Sequence, residues 1–335
     1  MRAAVFSQFG EPAAVLQVQD VPEPALAKGL VRVAMIASPV NPSDLMTIRG
    51  IYGKVPDLPA VPGYEGVGIV VAADAGLYGR LMLNKRVAVL NPGTGNWQEQ
   101  TVLPVKNVVP LPASLTDEQA AMFFVNPAAA YLMTQKVLQV PKGDWLLQSA
   151  AGSAVGRMVI RLGQRFGFRT LNVVRRDDQV RELLAAGGDA VVVFDPDHST
   201  PEDFAHQVRE KTGGGVRFAI DPVGGPTGSA MVPCLTDRGR MLVYGTLSPD
   251  PLTFSSRSLM TIGASVEGFW LSRYMSECGL LAKLSLMRTI GGLIRDGILT
   301  AEVGATYPLE QVVDAVRAAE EPGKAGKVLL KIAEG

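Results

Sequence analysis

Residues 144–167 read DWLLQSAAGSAVGRMVIRLGQRFG. An apolar run over Asp144–Ser149 has strand length, and Gly152–Phe166 carries apolar side chains at helical spacing, so the stretch predicts a strand, a tight turn and a helix. Ala151, Ser153 and Gly156 fall where a dinucleotide fingerprint, G-x-G-x-x-G, needs little or no side chain. Small residues there leave the backbone accessible, and the N–H groups that open a helix favour an anion. Gly152, Ser153, Ala154, Val155 and Gly156 are therefore the candidate phosphate cradle. A tight strand–helix turn that holds no ligand is the alternative.

Downstream the same rhythm repeats. Strand-length runs at Thr170–Val174, Ala190–Phe194, Val216–Asp221 and Arg240–Tyr244 alternate with helical stretches at Gln179–Ala186, Pro201–Lys211 and Gly228–Leu235. Short Val/Ile/Leu-rich strands alternating with amphipathic helices specify a parallel sheet covered on both faces. At the point about 20 residues past the last turn glycine, an NAD site would carry an acidic residue for the ribose 2′-hydroxyl. This chain has Arg175 and Arg176 there. Guanidinium groups offer forked donors to phosphate oxygens, so the pair suits a 2′-phosphate and points to NADP(H). Surface arginines paired with Asp177 and Asp178 are the other reading of the same residues.

The first third differs. Runs at Arg2–Phe6, Gly29–Ile36, Gly66–Ala72, Arg86–Leu90 and Glu99–Pro104 are strand-like, and Pro22, Pro24, Pro39, Pro42, Pro56, Pro59 and Pro62 exclude long helices. A β-rich, barrel-like domain is predicted. From Thr116, a capping residue, the chain turns helical over Asp117–Phe124 and again after Asn126-Pro127 over Ala128–Val137. A helix over Leu280–Asp296, an extended Thr300–Pro308, a short helix Leu309–Ala319 and a strand Lys327–Ile332 close the chain. The predicted division is 1–122 with 263–335 for the β-rich domain and 123–262 for the nucleotide domain.

With 335 residues, 47% of them hydrophobic and 19% charged, the chain has ample material for two cores. Basic and acidic residues cancel, 32 against 32, leaving no field to favour nucleic acid or an anionic membrane. Two cysteines and two histidines are too few for a disulfide framework or a zinc cluster. No stretch nears the roughly 18 apolar residues of a membrane span. The start, MRAAVFSQFGEP, lacks a secretory pattern, so a cytoplasmic location is expected.

Several stretches together carry a family resemblance: VNPSDLMTIRGIYGKVPDLPAVPGYEG, FFVNPAAAYLM, GDWLLQSAAGSAVG, RTLNVVRRDD, DPVGG, VYGTLS and GFWLSRY. The chain resembles zinc-independent medium-chain dehydrogenases/reductases from first strand to last, and within them is most similar to mitochondrial-type trans-2-enoyl-thioester reductases. The resemblance implies an α/β fold: a GroES-like β-rich catalytic domain plus a doubly wound Rossmann domain, usually in a homodimer. In the zinc-bearing relatives two catalytic ligands would stand at Asn41 and Tyr64, where they have Cys and His. Glu65 remains, and the structural zinc lobe is absent, so no metal is expected. Asp44 is expected to cap a helix Leu45–Ile48, and Glu65 to be structural, paired with an arginine. His198 and His206 are expected on the surface.

The resemblance also implies roles. Tyr52, between Gly50 and Gly53, matches the proton-donating tyrosine; an ordinary phenol, with a pKa of ~10, stays protonated at neutral pH. Asn126 matches an asparagine at the junction of cofactor and substrate. Phe269 and Trp270 match a stretch that passes the nicotinamide, Lys327 matches a lysine near the cofactor, and Tyr244 and Gly245 end a strand at the carboxyl edge, where their backbone is expected to line the nicotinamide. Read alone, they are core aromatics, a strand end and a surface charge. The implied activity is hydride transfer from NADPH to the C=C of an enoyl thioester. Reduction of a quinone or small α,β-unsaturated carbonyl is the alternative, and a nucleotide-binding protein without turnover is a third reading.

Overall fold

The computed structural model describes residues 1–53, 55–323 and 326–333. The chain divides into two compact units, Met1–Val125 with Ala301–Gly335, and Asn126–Thr300.

In the first unit, β1 (Arg2–Phe6) and β2 (Leu16–Asp20) form an antiparallel pair. β3 (Leu30–Pro39), β4 (Glu65–Asp74), β5 (Arg86–Leu90), β6 (Gln100–Pro104) and β7 (Val108–Pro110) follow. β3 is the hub, because β6 pairs with its first half, β4 along Leu30–Ala37, and a late strand with Ala37–Pro39. Its burial accordingly changes from alternating to continuous along the strand. The helix Asp117–Ala121 is shorter than its pattern predicts, but Thr116 caps it as expected by accepting from the N–H of Gln119.

The second unit holds β8 (Trp145–Gln148), β9 (Arg169–Val174), β10 (Ala190–Val193), β11 (Val216–Asp221), β12 (Leu235–Val243) and β13 (Ser265–Gly268). They form one six-stranded sheet in the order β10-β9-β8-β11-β12-β13, every pair parallel. The order reverses between β8 and β11, the arrangement of a doubly wound dinucleotide-binding fold. Leu146, Leu147, Leu171, Ile220 and Met241 fill its interior. The helix Ala154–Phe166 starts at Ser153, whose hydroxyl accepts the Gly156 N–H at 3.1 Å, and stops at left-handed Gly167.

β14 (Val303–Pro308) and β15 (Lys327–Lys331) then return to the first unit, where β15 pairs with β3 and completes a seven-stranded sheet. The compact units divide at 300/301, where 262/263 is the expected division. β13 bonds β12 in register from Arg240↔Ser265 to Val243↔Gly268, so 263–300 belong with the nucleotide sheet. Two helices also end early. The stretch expected at Gly228–Leu235 is a helix at Gly225–Met231 followed by a short 3₁₀ turn carrying Pro233, and Ala128–Val137 becomes a helix at Val125–Leu132 followed by a π-helical turn. Among the described residues no helix is long and apolar enough to cross a membrane.

Candidate active site

In the first unit the helix Pro42–Ile48 leads into the loop that bears Tyr52. Gly50, at φ +76°, lets the chain leave the helix, and its N–H and that of Ile51 bond back to Thr47 O and Met46 O. The Tyr52 ring lies 5.7 Å from the Tyr64 ring, at 59°. The Thr47 hydroxyl donates to Ser43 O, so at 2.7 Å it accepts from the Tyr64 hydroxyl. Tyr52 is thus braced by a ring that is itself held.

Behind the loop lies a buried polar cluster. Asp44 is fully buried and accepts the N–H groups of Asn41 at 2.8 Å and Tyr64 at 3.0 Å. The helix therefore begins at Pro42 with Asn41 as its cap; Asp44, expected as the cap, is the third residue reaching back. Glu65 is 1% exposed and accepts from Asn41 Nδ2 at 3.0 Å, Val125 N–H at 2.8 Å and Phe124 N–H at 3.3 Å. These partners, not the expected arginine, satisfy its carboxylate. Lys327, matched by resemblance to a cofactor contact, is 7% exposed and donates to Val40 O and Asn41 Oδ1. Single-residue reading missed this cluster because its members lie far apart in the chain.

Burial pushes the Asp44 carboxyl up to about 7, against the pull of its two N–H donors and of Lys327. Burial also raises Glu65. An acid whose folded pKa is raised stabilises the fold while protonated, and that contribution fades as pH climbs from the unfolded value toward the folded one. For Asp44 this window runs upward from 3.8 to about 7. Wild type should therefore lose about 2–3 kcal/mol relative to Asp44→Asn between about pH 5 and about pH 8. Urea unfolding of both proteins at the two pH values checks this; parallel pH dependences would refute it.

In the second unit the candidate residues follow the carboxyl ends of β8, β9, β12 and β13. The Ala151 N–H bonds Val173 O, tying the turn to β9. A Cβ on Gly156 would lie 2.4 Å from Ala151 O, so only glycine lets helix and turn meet. Beneath, the buried Gln148 amide donates to Asn172 Oδ1 at 2.7 Å and Gly156 O at 3.0 Å. That brace was not foreseen, although polar residues inside WLLQ and TLNVV were its trace. With Gly156 N–H taken by Ser153, the N–H groups of Ala154 and Val155 open the helix without a carbonyl one turn back. An anion fits there.

Arg175 and Arg176 are exposed at the end of β9, and Arg176 Nε lies 3.2 Å from Asp178 Oδ1. Asp221, at the end of β11, accepts Ser149 Oγ and the N–H groups of Val223 and Gly224, which shapes DPVGG. Tyr244 follows β12; burial and then Asp221 push its phenol upward, so it stays protonated. Gly245 passes close to Pro222, where a Cβ would meet its carbonyl at 2.7 Å. Phe269 is buried and bonded to Val243 O, whereas Trp270 is 43% exposed. Asn126 is half-buried in the first turn of the helix Val125–Leu132. A cradle of bare N–H groups with arginines beside it fits the pyrophosphate and 2′-phosphate of NADP(H).

His198 and His206 are exposed, as expected, and His198 Nδ1 lies 2.9 Å from Asp195. Among the described residues no group of three or more His, Cys, Asp or Glu side chains is arranged to hold a metal ion.

A GroES-like β unit and a Rossmann sheet on one chain define the medium-chain dehydrogenase/reductase class. Residues 27–113 match the alcohol dehydrogenase GroES-like domain and 186–330 the zinc-binding dehydrogenase family. The chain is 32% identical over 335 residues to the mitochondrial enoyl-[acyl-carrier-protein] reductase of Homo sapiens, covering 98% of this chain and 88% of that one. A putative NADPH:quinone reductase from Bacillus thuringiensis is 33% identical with a TM-score of 0.91, over 99% of both chains. The mitochondrial 2-enoyl thioester reductase Etr1p/Etr2p heterodimer from Candida tropicalis is 27% identical with a TM-score of 0.83, again over 99% of each. The Etr1p complex with NADP and crotonyl-CoA is 26% identical, with a TM-score of 0.83 and 99% coverage of each chain. The chain belongs to the medium-chain dehydrogenase/reductase superfamily, among the relatives of mitochondrial enoyl-thioester reductases.

Proposed function

We propose that this protein is an NADPH-dependent oxidoreductase that reduces the C=C bond of a 2-enoyl thioester, carried on coenzyme A or an acyl carrier protein, without a metal. The observation that carries the cofactor reading is the helix opening at Ala154 and Val155 with Arg175 and Arg176 after the next strand. The substrate reading is supported by relatives named enoyl-[acyl-carrier-protein] reductase and by the Etr1p complex with NADP and crotonyl-CoA.

When bound, NADPH supplies the hydride for the β-carbon. Tyr52 hydrogen-bonds the thioester oxygen as it gains charge and delivers its phenolic proton toward the α-carbon. The Asn126 amide orients the nicotinamide ribose. Gly152, Ser153, Ala154, Val155 and Gly156 seat the pyrophosphate, while Tyr244, Gly245, Phe269 and Trp270 border the nicotinamide. The GroES-like segment is the catalytic domain and the Rossmann segment the nucleotide domain.

NADPH oxidation followed with crotonyl-CoA, a longer 2-enoyl-CoA, a benzoquinone and acrolein tests the reading. Thioester turnover should dominate; quinone turnover far above it would favour the alternative, NADPH-dependent quinone reduction, which the Bacillus thuringiensis neighbour's name supports. Replacing Arg175 and Arg176 together with alanine should weaken NADPH binding about 10- to 100-fold and leave NADH within about two-fold. Fluorescence titration with both nucleotides measures this, and an unchanged NADPH affinity would assign the arginines to the surface.

The reading includes a homodimer in the cytoplasm. β13 ends the six-stranded sheet, and an edge strand is a ready surface for a second copy. Both cysteines are free, and burial pushes the Cys234 thiol up to about 12, which suits a reducing compartment.

A further inference from the structure

Asn41 stands where zinc-bearing relatives carry a ligand, and its amide faces the Glu65 carboxylate at 3.0 Å. The cation beside them belongs to the chain itself. Lys327 donates to Asn41 Oδ1 while Asn41 Nδ2 donates to Glu65, so one amide links ammonium to carboxylate. Lys327 also acts electrostatically on both Glu65 and Asp44. Charge buried to this depth persists only when paired and fully hydrogen-bonded, and such a set has one preferred geometry. Glu65 then passes that geometry on. Its second oxygen takes the N–H groups of Phe124 and Val125, the residues just before Asn126. Tyr64, the neighbour of Glu65, carries the ring that braces Tyr52.

We propose that Glu65 and Lys327 are positioning residues of the reductase: an internal ammonium, linked through Asn41, holds Glu65 in place, and Glu65 fixes the helix start that presents Asn126. The inference rests on the enoyl-thioester reading and deepens it. It also moves Lys327 from a direct cofactor contact to a group acting through Asn41 and Glu65.

The test is a cycle of Glu65→Gln, Lys327→Met and the double variant. The readouts are kcat and KM with crotonyl-CoA, NADPH Kd and thermal midpoint. Each single variant should lower kcat about 10- to 100-fold with NADPH Kd within about two-fold. The singles leave an unbalanced buried charge and should melt early. The double variant removes both charges and should regain most of the thermal midpoint while kcat stays low. Recovery of kcat together with the midpoint, or a Glu65→Gln kcat within about two-fold of wild type, would overturn the inference and leave a structural role. Should the singles fail to fold, the double variant alone decides between these outcomes. Wild-type enzyme that reduces no thioester would instead sink the functional reading beneath it.

Discussion

Tyr52→Phe should lower kcat with a 2-enoyl thioester by about 10²- to 10⁴-fold, the usual worth of a positioned proton donor. The substitution keeps the ring and hence its packing 5.7 Å from Tyr64, so the loop retains its bracing. The Thr47–Tyr64 hydroxyl bond and the Asp44 bonds do not involve the Tyr52 hydroxyl. NADPH Kd should stay within about two-fold, because the proposed pyrophosphate and 2′-phosphate contacts lie on the Ala154–Phe166 helix and after β9. Steady-state kinetics with crotonyl-CoA alongside fluorescence titration of NADPH separates the two quantities. A near-wild-type kcat would remove Tyr52 from the reaction; a large loss of nucleotide affinity would make it a binding residue instead.

Gly156→Val should be the most damaging single change in the nucleotide unit. A Cβ there would stand 2.4 Å from Ala151 O and 2.7 Å from Ala151 C and Cα, all backbone atoms of the turn. Helix and turn must separate, which costs about 3 kcal/mol as overpacking and carries the Ala154 and Val155 N–H groups away from the anion they are placed to bind. NADPH affinity should fall by about 100-fold or more, with a clear drop in thermal midpoint. Gly152→Ala provides the contrast for stability. Its Cβ would approach only Gln179 Nε2, at 2.7 Å, the mobile end of a flexible side chain, so the midpoint should barely move. Thermal unfolding of both variants and titration of Gly156→Val with NADPH measure these effects. Equal midpoints for the two variants would mean that the turn tolerates separation from its helix.

Much of the nucleotide unit was legible because its information is local. Apolar runs of strand length, the small residues of the turn at 151, 153 and 156, and the arginines at 175 and 176 are each read within a few residues. The short strand Ser265–Gly268 falls in the second compact unit, outside the expected nucleotide domain, for the opposite reason. SVEG carries little apolar pattern, its residues are only partly buried or exposed, and its identity comes from bonding with β12. Tyr52 and Asn126 come from motif resemblance and the arginine pair from its spacing past the turn glycine, and the structure supplies their surroundings: the Tyr64 brace, the helix start and the exposed end of β9.

The order of strands and helices, the glycine-dependent turn and the guanidinium pair after β9 were all determined by the chain's own pattern, since period, capping and turn chemistry act over a few residues. Only the tertiary structure decided what Asn41, Asp44, Glu65 and Lys327 are for. Singly they resemble a helix start, a cap, a strand residue and a surface charge. Their character comes from shared burial, which makes each carboxylate and ammonium depend on partners as far as 287 residues away.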